Sequence, residues 1–121
     1  RNNEISEINS LKNNINLYYV SLWNNKISDI SPLKTLDKLG DLQLDGNQIS
    51  DISHLDGMTQ IKSLLLRNNQ IEDISSLLSL MNLKTLYLNG NPISHSQDEM
   101  LKTVQRKCRK RWNDSIGKVV S

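Results

Sequence analysis

Apolar residues return along the chain every 22 positions. Leu17, Leu39, Ile61 and Leu83 share one column; Val20, Leu42, Leu64 and Leu86 share the next, then Leu22, Leu44, Leu66 and Leu88. A polar column runs in the same register, Asn25, Asn47, Asn69 and Asn91, followed by Ile27, Ile49, Ile71 and Ile93. Ile30, Ile52 and Ile74, then Leu33, Leu55 and Leu77, complete the unit. Asn3, Ile5, Ile8 and Leu11 sit one period earlier, so the frame covers residues 3–94. Self-similarity at such a period is the mark of stacked structural repeats.

Each unit predicts its own elements. Apolar and polar residues alternate with period two near 19–23, 41–45, 63–67 and 85–89, as short half-buried strands do. Stacked in parallel, these strands lie about 4.8 Å apart. The Asn that follows carries donors and an acceptor on a short side chain, so buried at the turn it can satisfy backbone groups of its own and the adjacent coil. The returning half has room for only about a turn of 3₁₀-helix. Ser31-Pro32 reads as an N-cap with Pro at the first helical position, and Ser53 and Ser75 share that column. Past Ile93 the period changes. Met100, Leu101, Val104, Cys108 and Trp112 recur at helical spacing over 97–112, and Ser96-Gln97-Asp98-Glu99 reads as a capping box. The expected fold is α/β: a solenoid with parallel strands on the concave face, 3₁₀ turns on the convex face and a C-terminal capping helix. Residues 1–94 are the repeats, the first truncated; 95–112 are the capping helix, and 113–121 a flexible tail.

The unit LxxLxLxxNxIxDIxxL resembles the leucine-rich repeat. Ile27-Ser28-Asp29-Ile30-Ser31-Pro32-Leu33, Ile49-Ser50-Asp51-Ile52-Ser53-His54-Leu55 and Ile71-Glu72-Asp73-Ile74-Ser75-Ser76-Leu77 are similar to the phrase of the bacterial internalin subtype. That resemblance implies a protein-interaction module, not an enzyme, that binds a protein partner on its concave face. It also implies a secreted or cell-surface protein of a Gram-positive bacterium; a cytoplasmic regulatory scaffold of 22-residue repeats is the alternative. Internalins open with a helical cap and end in an immunoglobulin-like domain, whereas this chain starts within a repeat and ends in a helix. It therefore reads as a fragment of a longer protein. An uncapped solenoid exposes an apolar edge, through which the chain could self-associate.

Composition sharpens these expectations. The core must be branched aliphatic, because the chain has 19 Leu and 12 Ile but no Phe and no Ala. A single cysteine, Cys108, excludes an internal disulfide and a cysteine-based zinc site. No run is long and apolar enough for a transmembrane helix. Residues 1–99 carry 8 basic and 12 acidic side chains, net −4, and residues 100–121 carry 7 and 1, net +6. Nucleic acid is therefore a poor partner for the repeats. Only the helix, through Arg106, Lys107, Arg109, Lys110 and Arg111, could hold an anionic partner or surface, and no aromatic residue interleaves with that run. Its blander role is the solvated side of a cap. No catalytic, cofactor or metal site is expected. His54 and His95 lack ligand spacing and an acidic or thiol partner in frame. Glu7, Asp29, Asp51 and Asp73 form one column on the outer turn, placed to accept local backbone hydrogen bonds rather than to converge on calcium.

The strand positions between the buried leucines face outward. Protein-binding residues are expected there: Tyr19, Ser21 and Trp23; Asp41, Gln43 and Asp45; Leu65 and Arg67; and Tyr87. Tyr, Trp and Arg are enriched at interface hot spots, although Tyr19 and Trp23 could equally cover the solenoid's first edge. Asp45 and Arg67, one period apart, are expected within ion-pair reach.

Overall fold

The computed structural model describes residues 4–112; the side chains of Lys107 and of residues 109–112 are outside the described set. The flexible tail and the core role expected of Trp112 thus lie outside the described residues. Four parallel strands form one sheet in chain order: β1 Tyr19–Ser21, β2 Asp41–Gln43, β3 Ser63–Leu65 and β4 Thr85–Tyr87. Their register is the sequence period itself, Val20 beside Leu42, Leu42 beside Leu64 and Leu64 beside Leu86. The strands are three residues long, not five. Pairing nevertheless continues beyond them: Leu22, Leu44 and Leu66 donate to the carbonyls of Gln43, Leu65 and Tyr87, and Asn24, Gly46 and Asn68 to those of Asp45, Arg67 and Asn89.

The returning segments are 3₁₀ turns, Asn9–Asn13, Ser31–Thr35, Ser53–Leu55 and Ser75–Ser79. The serines do not cap them with their side chains; Ile30, Ile52 and Ile74 hold the cap positions. Instead Asp29, Asp51 and Asp73 each accept the N–H of the serine two residues on, at 2.9 Å. These bonds from Ser31, Ser53 and Ser75 hold all three carboxyls below the usual carboxylate range. A short side chain two residues before the turn meets the N–H in a favoured local geometry, so it outcompetes the serine hydroxyl.

Between the two faces, the aliphatic columns close a continuous core. Leu42, Leu64 and Leu86, with Ile27, Ile49 and Ile71, are fully shielded from solvent. The buried Asn column joins successive coils. Asn69 Oδ1 accepts from Ile49 N–H at 3.0 Å, while its Nδ2 donates to the carbonyls of Leu44 and Leu66 at 3.0 and 3.1 Å. Asn47 does the same with Ile27, Leu22 and Leu44, and Asn91 with Ile71, Leu66 and Leu88. Each of these asparagines is 4–6% exposed. Buried backbone groups need such partners, because leaving one unpaired costs about 1–3 kcal/mol.

A turn His95–Gln97 leads into helix α1, Asp98–Trp112. Among the described residues no hydrogen bond closes the expected capping box; Ser94 caps the turn without a side-chain bond to it, and the Ser96 hydroxyl pairs with that of Ser94 at 2.7 Å. Gln97 turns inward instead and accepts Ile74 N–H at 2.9 Å. Leu101, Val104 and Cys108 bury one stripe of α1 in the core, with Met100 at its margin. The helix thus seals the last repeat, as a terminal unit of a solenoid must.

Candidate functional site

The sheet places one outward row per repeat, and hydrogen bonds knit the rows together. Tyr19 Oη and Ser21 Oγ both donate to Gln43 Oε1, at 3.4 and 3.3 Å. Asp45 gathers the next rung. Its Oδ1 accepts Arg67 N–H at 2.6 Å, and its Oδ2 accepts Nε and Nη2 of the same arginine at 3.0 and 2.7 Å. The Arg67 guanidinium carbon then lies 4.7 Å from the centroid of the Tyr87 ring, a cation–π distance. The pairing is tighter than an exposed surface pair, because the Asp45 side chain is only 17% exposed. The hydrogen bond to Asp45 raises the Arg67 pKa further above its ordinary value, so its charge is permanent.

Trp23, Gln43, Asp45, Leu65 and Arg67 line a shallow depression of about 230 Å³ on this face. Five of the nine residues expected to bind a partner thus converge, and Tyr87 joins them through Arg67. Ser21 reaches the same group through Gln43. Tyr19, half exposed, stands at the first rung with Ile15 and Tyr18. Asp41 is farther from the depression; its Oδ1 is buried without a hydrogen-bond partner among the described residues.

A second column, absent from the sequence reading, shapes the rim. Asn24, Gly46, Asn68 and Gly90 all adopt left-handed backbone, with φ of 58°, 73°, 58° and 84°. Asn and Gly are the residue types that tolerate it. They alternate because the side chain of one coil occupies the space above the next: a Cβ added at Gly46 would land on Asn24 Oδ1, and one at Gly90 on Asn68 Oδ1. The 22-residue alternation Asn-Gly-Asn-Gly was visible in the chain. Its meaning needed the stacking distance.

The basic helix gives less. Arg106 is exposed and donates to Thr103 Oγ1 at 3.2 Å. The side chains of Lys107, Arg109, Lys110 and Arg111 lie outside the described residues. Both histidines do find acidic neighbours, contrary to expectation: His54 Nε2 lies 3.9 Å from Asp51 Oδ2 and His95 Nδ1 3.7 Å from Asp98 Oδ2. Each pair is three residues apart in a turn, a local contact that spacing across repeats does not reveal. No metal-holding cluster of His, Cys, Asp or Glu occurs among the described residues. Nor is any described helix long and apolar enough to cross a membrane.

The leucine-rich repeat family matches residues 15–71, and its two-copy form matches residues 59–99. No curated protein matches the sequence. Among solved structures, the chain is similar to an internalin of Listeria monocytogenes, at 37% identity over 84% of this chain and 30% of the other, with a TM-score of 0.81. Internalin C2 of the same species is 36% identical over 75% of this chain and 40% of its own, with a TM-score of 0.74. A leucine-rich repeat protein of Leptospira interrogans is 26% identical over 87% of this chain and 34% of its own, with a TM-score of 0.61. The chain therefore spans well under half the length of these relatives.

Proposed function

The chain belongs to the leucine-rich repeat family, with repeats of the internalin kind, and from that premise we propose that it binds a protein partner on its sheet face. The single observation that carries this reading is the fixed cluster around the depression. Trp23 and Leu65 supply apolar surface there, and Arg67 is held by Asp45 on one side and by the Tyr87 ring on the other. Side chains already immobilised in the free protein lose little entropy when a partner docks. Aromatic and arginine side chains of this kind dominate measured binding energies. The expected contact residues are Tyr19, Ser21, Trp23, Asp41, Gln43, Asp45, Leu65, Arg67 and Tyr87. Catalysis is not part of the proposal; a scaffold of this kind works by presenting a surface. The internalin-like repeats also support a secreted or surface location in a Gram-positive bacterium.

The test is a binding titration with a partner obtained by pull-down. Trp23→Ala and Tyr87→Ala should each weaken binding roughly tenfold or more, about 1.4 kcal/mol, with little change in thermal stability. Lys110→Glu serves as the control. If Lys110→Glu alone loses binding, and affinity collapses between low and physiological salt, the basic helix holds an anionic partner and the sheet-face reading is wrong. Analytical ultracentrifugation of the unmodified chain tests the further expectation that the apolar first rung self-associates.

A further inference from the structure

We infer that Asn89 is the site at which the repeats undergo spontaneous deamidation, and that this reaction adds a negative charge to the sheet face one rung from Arg67. Three Asx-Gly pairs occur within the repeats, Asp45-Gly46, Asp56-Gly57 and Asn89-Gly90. Such pairs are reactive because glycine has no side chain to hinder its own nitrogen as a nucleophile. The structure holds two of them shut. Gly46 N–H donates to the Arg67 carbonyl at 2.8 Å while both Asp45 oxygens are held by Arg67. Gly57 N–H donates to Ser79 Oγ at 2.8 Å, and the same hydroxyl donates to Asp56 Oδ1 at 2.7 Å.

Among the described residues, Asn89-Gly90 has neither restraint. It occupies the last rung of the described sheet, where no further described coil offers a carbonyl. Among the described residues nothing accepts from Gly90 N–H, and the Asn89 side-chain amide has no hydrogen-bond partner. Gly90 is exposed and Asn89 half-buried. The buried asparagines differ on both counts, since the amides of Asn47, Asn69 and Asn91 are shielded and bonded on both sides.

The reaction needs only water. Gly90 nitrogen gives up its proton to solvent and attacks Asn89 Cγ. Nδ2 takes a proton from solvent as the Cγ–Nδ2 bond breaks and leaves as ammonia, and a five-membered succinimide remains. Water then opens the ring at either carbonyl. Cleavage at Cγ gives aspartate at this position, and cleavage at the main-chain carbonyl gives isoaspartate, with the backbone running through the side chain. Either product carries a carboxylate where a neutral amide stood. Position 89 follows Arg67 in the column Trp23, Asp45, Arg67, Asn89, so the new charge competes with Asp45 for the guanidinium.

The folded protein is incubated in warm, mildly alkaline buffer, digested, and mapped by mass and by isoaspartate content, with a urea-unfolded sample and an Asn89→Gln variant alongside. Asn89 should convert in the folded protein roughly tenfold or more faster than any other asparagine of the repeats, about 1.4 kcal/mol of barrier. Folding should slow the isomerisation of Asp45 and Asp56 much more than it slows Asn89. The Asn89→Gln variant should lose the later-eluting anion-exchange species. If Asn89 stays intact in the folded chain but converts in urea, or if Asp45 or Asp56 reacts as fast, the inference is overturned.

Discussion

Two columns of the solenoid share one period and obey opposite rules. The interior column reads Asn25, Asn47, Asn69, Asn91, identical at every rung. Two residues earlier, the surface column reads Trp23, Asp45, Arg67, Asn89, different at every rung. The interior column repeats because the backbone does. Each coil leaves the same N–H and carbonyls to be satisfied, and one amide of one length reaches them. The surface column meets no such demand, so its residues are free to differ. Repetition therefore marks structure in this molecule, and departure from repetition marks the surface able to select a partner.

The sharpest way to break that comparison is to make the same change on the two sides of one strand. Leu64 is fully buried and Leu65, its neighbour on β3, is half-buried on the sheet face. Leu64→Ala should cost about 2–5 kcal/mol, the range for emptying a packed leucine site. Leu65→Ala should cost well under that and act on binding instead. Urea unfolding with matched slopes measures both. Equal losses would mean that the outward row is part of the core.

Next in size is the asparagine column. Asn69→Ala removes the acceptor for Ile49 N–H and the donor for Leu44 and Leu66 carbonyls, so it should cost on the order of 1–3 kcal/mol. Asn68→Ala, one residue away and exposed, breaks no side-chain hydrogen bond among the described residues but must hold φ of 58° without the tolerance of asparagine, so its cost should be smaller, about 1 kcal/mol. Reversal of that order would show that turn strain, not bond satisfaction, keeps the interior column uniform.

The interior half of this comparison was legible from the chain because period and chemistry coincide there. Leu64 and Asn69 recur at fixed spacing, and both the parallel register and the buried amides follow. What escaped reading was local competition. Ser31, Ser53 and Ser75 have the composition of caps, but Asp29, Asp51 and Asp73 reach the same N–H groups from two residues away. The strands end early because the backbone must turn into left-handed geometry at Asn24, Gly46, Asn68 and Gly90. On the sheet face, spacing placed Asp45 beside Arg67 correctly. The second bond to the Arg67 main chain and the stacking on Tyr87 depend on side-chain rotamers, which a period does not encode.

A smaller effect tests whether the surface column supports itself. Asp45→Asn keeps an acceptor for Arg67 N–H and removes the charge. Because the Arg67 side chain is still 39% exposed and solvent screens the pair, the loss of stability should stay near or under about 1 kcal/mol. Arg67→Met should cost a similar amount, and the double variant should show coupling in a mutant cycle. Binding, by contrast, should fall with either single change. A loss of stability near that of Asn69→Ala would place the pair among the structural columns.

The smallest effect lies on the opposite face, where another identical column, Asp29, Asp51 and Asp73, repeats for structural reasons while fully exposed. Each carboxyl is held below its ordinary value, chiefly by the hydrogen bonds from Ser31, Ser53 and Ser75. A carboxyl whose pKa is lower folded than unfolded binds fewer protons in the folded state. Its contribution is therefore complete above the unfolded value, about 3.9, and is lost as pH falls through the lower folded value. The combined Asp29→Asn, Asp51→Asn and Asp73→Asn variant keeps three acceptors and removes three charges. At neutral pH it should melt slightly below the original protein, and the two melting curves should converge as pH drops beneath the usual carboxylate range. A gap that stays constant through that range would mean that the charge contributes nothing and that acceptor geometry alone, which Asn supplies equally well, explains why this column repeats.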